Sequence, residues 1–220
     1  MRYLSLALFA EGPTDYYFLR PLLQRLCEDI CVREARMPVE VSEVLGLDDP
    51  DTEERLSRDV RIARSAQMAR GAWNILFVHA DGANDPDSVR EEQITPALHR
   101  VRELMGAEGL GVAVVPIRET EAWAIVDGSA LRCAFGTELN DQELGLPPTR
   151  NVESITDPKI ILQRAFTATH PTGRRLRQGT SPYLNTLGEQ VSLDFLRRIP
   201  SFSSLENDIR LALNVLGLLR

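Results

Sequence analysis

The chain has 220 residues, 43% hydrophobic and 26% charged, enough for one domain of ordinary size with a real core and without disulfide or metal staples. No apolar run approaches the roughly 20 residues that span a bilayer, and residues 1–10 are too short, and too soon interrupted by Glu11, for a signal peptide. Three cysteines, an odd number, point to a reducing cytoplasm, and a net charge of −7, with 32 acids against 25 bases, argues against a surface coated for non-specific DNA binding.

Residues 3–10 form a short apolar run ending at Glu11-Gly12-Pro13, which reads as a buried strand and a tight turn. Thr14 is placed to cap the helix that follows, whose Leu19, Leu22, Leu23, Leu26 and Ile30 recur at helical spacing. Val39, Val41 and Val44 predict a second strand. An acidic stretch over 48–54 leads into a helix predicted over 52–70, carrying Leu56, Val60 and Ala63. Residues 74–79 are the clearest strand, running straight into Asp81-Gly82. A helix is predicted from Pro86, with Ile94, Leu98, Val101 and Met105 on one face. A fourth strand is predicted over 111–117, ending at Arg118-Glu119-Thr120-Glu121. Beyond it no strand is expected; Leu205, Ile209, Ala212 and Leu216 mark the best of several helical patterns, and residues 170–179 read as a Pro/Gly/Arg-rich loop.

Strands alternating with amphipathic helices predict an α/β fold, a Rossmann-like parallel sheet of about four strands flanked by helices. Residues 1–130 would form that core and 131–220 a helical extension packed on it. Charge divides along the same line: residues 1–150 hold 26 acids and 16 bases, whereas 151–220 hold 6 and 9.

In open α/β sheets ligands bind beyond the carboxyl ends of the strands, and the three best strands deliver acids there. The first gives Glu11 with Asp15 one turn on, the third Asp81 with Asp85 and Asp87, the fourth Glu119 and Glu121. Converged carboxylates repel unless a cation sits between them, and an all-oxygen set suits Mg2+ or Mn2+. Polar loops at strand ends are also ordinary, and some of these acids are only that. An EF-hand over 81–92 is rejected, because Pro86 stands where the turn glycine belongs. Cys27 and Cys31, one turn apart, read as core thiols, and His79 as a structural group or a hydrogen-bond partner of a carboxylate in preference to a metal ligand. There is no phosphate-binding GxxxxGK[ST] loop, no dinucleotide fingerprint after a strand and no GxSxG elbow.

Strand–Glu11-Gly12-Pro13-Thr14-Asp15–helix resembles the opening motif of Toprim domains, the catalytic folds of topoisomerases, bacterial primases and overcoming-lysogenization-defect nucleases. The place of their second motif, Asp-x-Asp, reads His79-Ala80-Asp81 here, a histidine for the first acid. With Arg118-Glu119-Thr120-Glu121-Ala122-Trp123 and Asp157-Pro158-Lys159, the whole chain resembles the bacterial domain-of-unknown-function family 4276, a Toprim-like group. The resemblance implies Mg2+- or Mn2+-dependent cleavage of phosphodiester bonds. Glu11 and Asp81 would hold one ion, with Asp85 or Asp15 completing its shell and Glu121 reaching a second. It also implies a nucleic-acid partner, DNA in preference to RNA, and a place in phage or mobile-element defence beside an ATPase, with no membrane partner.

Lys159 is the single lysine among 25 basic residues, a candidate for contacting phosphate oxygens as charge develops; biased codon usage is the competing reading. Arg174, Arg175 and Arg177 are candidates for the nucleic-acid backbone, or else belong to a solvated loop. The histidine at position 79 either weakens metal binding or is compensated by Asp85 and Asp87. A non-catalytic module that binds an ATPase or a nucleic acid is the alternative function.

Overall fold

The computed structural model describes residues 1–50 and 55–220. Four strands, β1 (Arg2–Phe9), β2 (Val39–Gly46), β3 (Ile75–His79) and β4 (Gly111–Val114), form one all-parallel sheet in the order β2-β1-β3-β4. Alternation along the strands sorts their side chains. Leu4, Leu6, Leu8, Phe77 and Val114 enter one core, and Ala7, Phe9, Leu76, Val78 and Ala113 the other. Helix α1 (Pro13–Glu34) covers the first face. Helix α2 (Arg58–Met68), a short α3 (Pro86–Val89) and α4 (Thr95–Met105) lie between the later strands, and α2 and α4 cover the second face with Ile62, Ala63, Ala66, Ala97 and Val101. The start of the helix predicted over 52–70 lies outside the described residues; within them it begins at Arg58.

Three local departures from expectation have physical causes. Gly12, not Thr14, is the N-cap of α1. Pro13 fills the first helical position, and Asp15 reaches back to accept the Gly12 N–H at 2.9 Å. The helix from Pro86 is continuous but widens into a π turn over Arg90–Ile94. Pro96 has no N–H for the carbonyl one turn below it, and Thr95 N–H donates instead to Arg90 C=O. The fourth strand ends at Val114, earlier than predicted, because Pro116 cannot donate to a ladder. The carbonyls of Ile117 and Arg118 accept from Asn84 N–H and Gly82 N–H, both at 2.9 Å. A Cβ on Gly82 would stand 2.1 Å from the Pro116 oxygen, so only glycine fits there.

The C-terminal part is helical, as expected: α5 (Glu121–Ala124), α6 (Gly128–Phe135), α7 (Pro158–Ala168), α8 (Gly173–Gln178), α9 (Leu184–Gln190), α10 (Leu193–Leu196) and α11 (Pro200–Val215). The segment read as a loop over 170–179 contains α8. Between 131 and 220 no described residue joins the sheet, and Leu219 forms only an isolated bridge with Ala35. One continuous core runs from Leu6 through Leu22 and Leu26 to Leu187, Phe202 and Leu213, so the extension completes the layer that α1 begins. Buried Glu206 of α11 ties it down, held by Arg197 at 3.1 Å and Arg210 at 2.9 Å.

Helix α9 meets α1 at a glycine. A Cβ on Gly188 would fall 2.2 Å from the Phe18 carbonyl oxygen, and Arg25 donates to Gly188 C=O at 2.8 Å. Gly188→Ala is expected to destabilise the fold by about 1–3 kcal/mol, the usual cost of overpacking a close contact, read as a lower urea midpoint in one cooperative transition.

Candidate functional site

The chain leaves β1 toward the sheet face that α1 covers and leaves β3 toward the face that α2 and α4 cover. A crevice opens between the carboxyl ends of these adjacent strands, the usual ligand position in such sheets. Glu11 stands at one lip and Asp81 at the other, and Asp81 N–H donates to Glu11 Oε2 at 3.0 Å. The turn carrying Glu11 is pinned by Tyr16, whose hydroxyl accepts from Ala10 N–H at 3.0 Å and donates to Leu47 C=O at 2.7 Å.

Asp15 lies behind Glu11 with both oxygens engaged: Oδ2 by Gly12 N–H, and Oδ1 by the hydroxyl of buried Thr120 at 3.0 Å. The same hydroxyl stands 3.4 Å from Glu121 Oε2. It has one proton to give, so an ionised Glu121 and an ionised Asp15 compete for it. Glu121 is carried by α5, which is anchored by fully buried Trp123 through an edge-to-face contact with Phe202 and an indole N–H to Ser201 Oγ at 3.1 Å. Burial pushes the Glu121 carboxyl above the usual glutamate range, and Glu119 and Asp15 push the same way against Lys159. Glu119 is also pushed up, by burial first and then by Asp81 and Asp157, again opposed by Lys159. Lys159, in the first turn of α7, is the cation that opposes both shifts. It lines a cleft of about 370 Å³ with Thr14, Glu121, Gln163, Phe166 and Gln178.

His79, at the end of β3, is completely buried beneath the acids. Its Nδ1 accepts from Glu11 N–H at 3.5 Å and lies 3.7 Å from Asp15 Oδ2, and its Nε2 lies 3.5 Å from Asp81 Oδ1. Neither Nε2 nor Asp81 Oδ1 has a hydrogen-bond partner, although both atoms are buried, and the same is true of Glu119 Oε2. The hydrogen bond to a carboxylate expected of His79 is therefore not formed at Nε2.

The residues predicted from sequence fall into two groups. Glu11, Asp15, Asp81, Glu121 and Lys159 come to one edge. Asp85 does not join them: it caps α3 by accepting Ser88 N–H at 3.1 Å. Arg175 is turned inward, donating to Tyr183 Oη at 3.0 Å and lying over the Phe166 and Tyr183 rings. Arg174 and Arg177 of the same helix are exposed. Cys27 and Cys31 are core thiols, with Cys31 pushed by burial up to about 11.

Two contributors lay outside the predicted set. Glu119 stood in the sequence as a strand-end acid, with only Glu121 assigned to an ion. Arg58 carried no signal at all. It enters from the first turn of α2, donates to His79 C=O at 2.5 Å and brings Nη1 to 3.9 Å from Glu11 Oε2.

Comparison with protein-family models, curated proteins and solved structures returns no match. The site's own chemistry must therefore say what it can hold. Buried carboxylate oxygens without partners at Asp81 and Glu119, beside Glu11, make a donor set that fits a hard or borderline divalent cation. Among the described residues no three acidic, histidine or cysteine side chains yet stand within one coordination sphere.

Burial favours the neutral forms of Glu119 and Glu121, so around these groups the folded state holds protons more tightly than the unfolded chain. Their contribution to stability is complete below the ordinary glutamate value of 4.5 and is lost as pH rises through the raised folded values. Without divalent cations, Glu121→Gln is expected to melt above wild type near about pH 8, with the gap closing by about pH 5. Scanning calorimetry at the two pH values checks the order.

Proposed function

We propose that the chain is a divalent-metal-dependent nuclease-like protein that hydrolyses phosphodiester bonds of nucleic acid, DNA in preference to RNA, on a Toprim-like fold. The observation that supports this most is a pair of buried, unpartnered carboxylate oxygens, one on Asp81 beyond the end of β3 and one on Glu119 beyond the end of β4. The likeness of Glu11-Gly12-Pro13-Thr14-Asp15 and His79-Ala80-Asp81 to Toprim motifs supports it from the sequence side.

In this reading Glu11, Asp81 and Glu119 would hold the ion, which would offset negative charge on the scissile phosphate and lower the pKa of a bound water. Asp15 orients the site from behind through Thr120 and His79. Glu121, whose carboxyl burial pushes above the usual glutamate range, is placed to exchange a proton with the reacting oxygen. Lys159, which lines the same cleft as Glu121, contacts the non-bridging phosphate oxygens. Arg58 steadies Glu11 at the lip of the crevice. Arg174 and Arg177, on the helix whose Leu176 and Gln178 line the same cleft, are the groups left to follow the backbone of a bound strand, and binding then weakens as salt rises. Arg175 has no such role. An ATPase partner, a role in defence and a cytoplasmic setting rest on the resemblance and the cysteine usage.

The engagement of Asp15 and Asp85 in local hydrogen bonds and the histidine at position 79 favour the alternative, a non-catalytic Toprim-like module. Cleavage assays on labelled single- and double-stranded DNA and on RNA, with Mg2+, Mn2+ or Zn2+, separate the two. We expect cleavage that Glu11→Gln and Asp81→Asn each reduce at least about a hundredfold, the scale of losing one charge-stabilising group at a reacting centre. Lys159→Met is expected to lower the rate and Lys159→Arg to restore part of it. No cleavage with any of these ions, alone or with an ATPase partner, would leave the binding module standing.

A further inference from the structure

The roles of Glu121 and Lys159 leave the rest of their cleft unexplained. Among the described residues that line it, these two alone are charged. Both stand at the end nearest the acids: Thr14 of the lining adjoins Asp15, and the Thr120 hydroxyl lies between Asp15 and Glu121. From Lys159 the lining follows one face of α7 through Gln163 to Thr167, spaced four residues apart, a line of about 12 Å. The end of α8 and the turn after it form a second wall with Leu176, Gln178 and Ser181. Arg175 fixes that wall, donating to Tyr183 Oη and lying over the Phe166 ring.

Beyond its mouth the cleft is therefore neutral, and it combines two kinds of surface. Leu176, 57% exposed, lines it together with buried Phe166 and Leu184. Gln163 and Gln178 add one amide from each wall, and neither amide has a hydrogen-bond partner among the described residues. Each amide offers two donor hydrogens and an acceptor oxygen. A phosphate entering here would meet no cation beyond Lys159. A flat group with apolar faces and a rim of donors and acceptors would meet matching atoms throughout, and a nucleobase is such a group.

Resting on the reading of the chain as a phosphodiester-cleaving protein, we propose that this cleft is a subsite for one unpaired nucleobase of the substrate strand, next to the phosphate that Lys159 contacts. Its volume of about 370 Å³ lies at the low end for ligand pockets and suits a single such group. A base stacked and paired within a duplex reaches a pocket only by being extruded, at the cost of its pairing and stacking. The cleft thus selects single-stranded nucleic acid, or the unpaired positions of a duplex. It does so with little regard to sequence, because every base has a face to pack.

Titration of the purified full chain in Mg2+ with deoxyadenosine 5′-monophosphate and with deoxyribose 5-phosphate isolates the contribution of the base. The nucleotide should bind at least about tenfold more tightly, the scale of one stacked base, and should shift the side-chain amide NMR signals of Gln163 and Gln178, which the sugar phosphate leaves unmoved. Leu176→Ala, at an exposed position, should remove most of that preference without changing the affinity for the sugar phosphate. Circular single-stranded DNA should bind at least about tenfold more tightly than relaxed circular duplex of the same length, a comparison free of strand ends. Equal affinity for nucleotide and sugar phosphate, unmoved amide signals, a Leu176→Ala variant that keeps the full preference, or equal binding of the two circles overturns the proposal but not the phosphodiester reading. Failure to bind the nucleotide, the sugar phosphate and both circles overturns both.

Discussion

Carboxylates gathered in a partly buried crevice raise the energy of one another's charged forms, and the cost grows as water is excluded. The crevice between β1 and β3 is built around that cost. The sheet order brings the ends of β1 and β3 together, α1 starts at Gly12, immediately after Glu11, and the Gly82 turn is held against 116–118. Each of these devices fixes an acid where an unassisted chain would separate it from its neighbours. The hydrogen bonds of Asp15, the single proton of Thr120 and the Arg58 guanidinium offset part of the repulsion. The unpartnered oxygens of Asp81 and Glu119 show where it is not offset.

The helical extension matters to this edge. Trp123 and Phe202 lock α5 beneath α11, and so set the height of Glu121. Helix α7 starts with Asp157 accepting Ile160 N–H at 2.9 Å and presents Lys159 at the cleft. The cluster that joins these helices to Leu4, Leu6 and Leu8 of β1 is continuous, so acids from the sheet and the cation from the extension share one scaffold. The net positive charge of the last 70 residues includes Lys159, which lines that cleft, and exposed Arg174 and Arg177 of α8, whose Leu176 and Gln178 line it.

Much of the fold was legible because its signals are local and periodic. The apolar run of β3, the spacing of Leu19, Leu22, Leu26 and Ile30 in α1, and the Leu205, Ile209 and Ala212 stripe of α11 each specify an element without help from elsewhere. What escaped depends on tertiary partners. Thr14 has the chemistry of a cap, but Asp15 reaching back to Gly12 places the helix start earlier. Residues 115–117 have strand character, but Pro116 has no proton for the ladder and the Gly82 turn takes the neighbouring carbonyls. Asp85 counts as a strand-end acid until Ser88 N–H claims it. The proximity of Arg58 to Glu11 and the burial of His79 follow from packing across the sheet edge, which no spacing in the chain encodes.

The balance of repulsion and cation binding can be read in one pair of proteins. Thermal unfolding of wild type and Glu119→Gln, each in chelator and then with saturating Zn2+ or Mn2+, isolates a group whose charge burial and Asp81 both penalise. In chelator at about pH 8, well above the ordinary glutamate value, the variant should melt at or above wild type. With the cation, wild type should rise further than the variant, because ligand binding stabilises the fold in proportion to affinity. A variant that melts lower in chelator, together with a wild type that no divalent cation stabilises, would contradict the account.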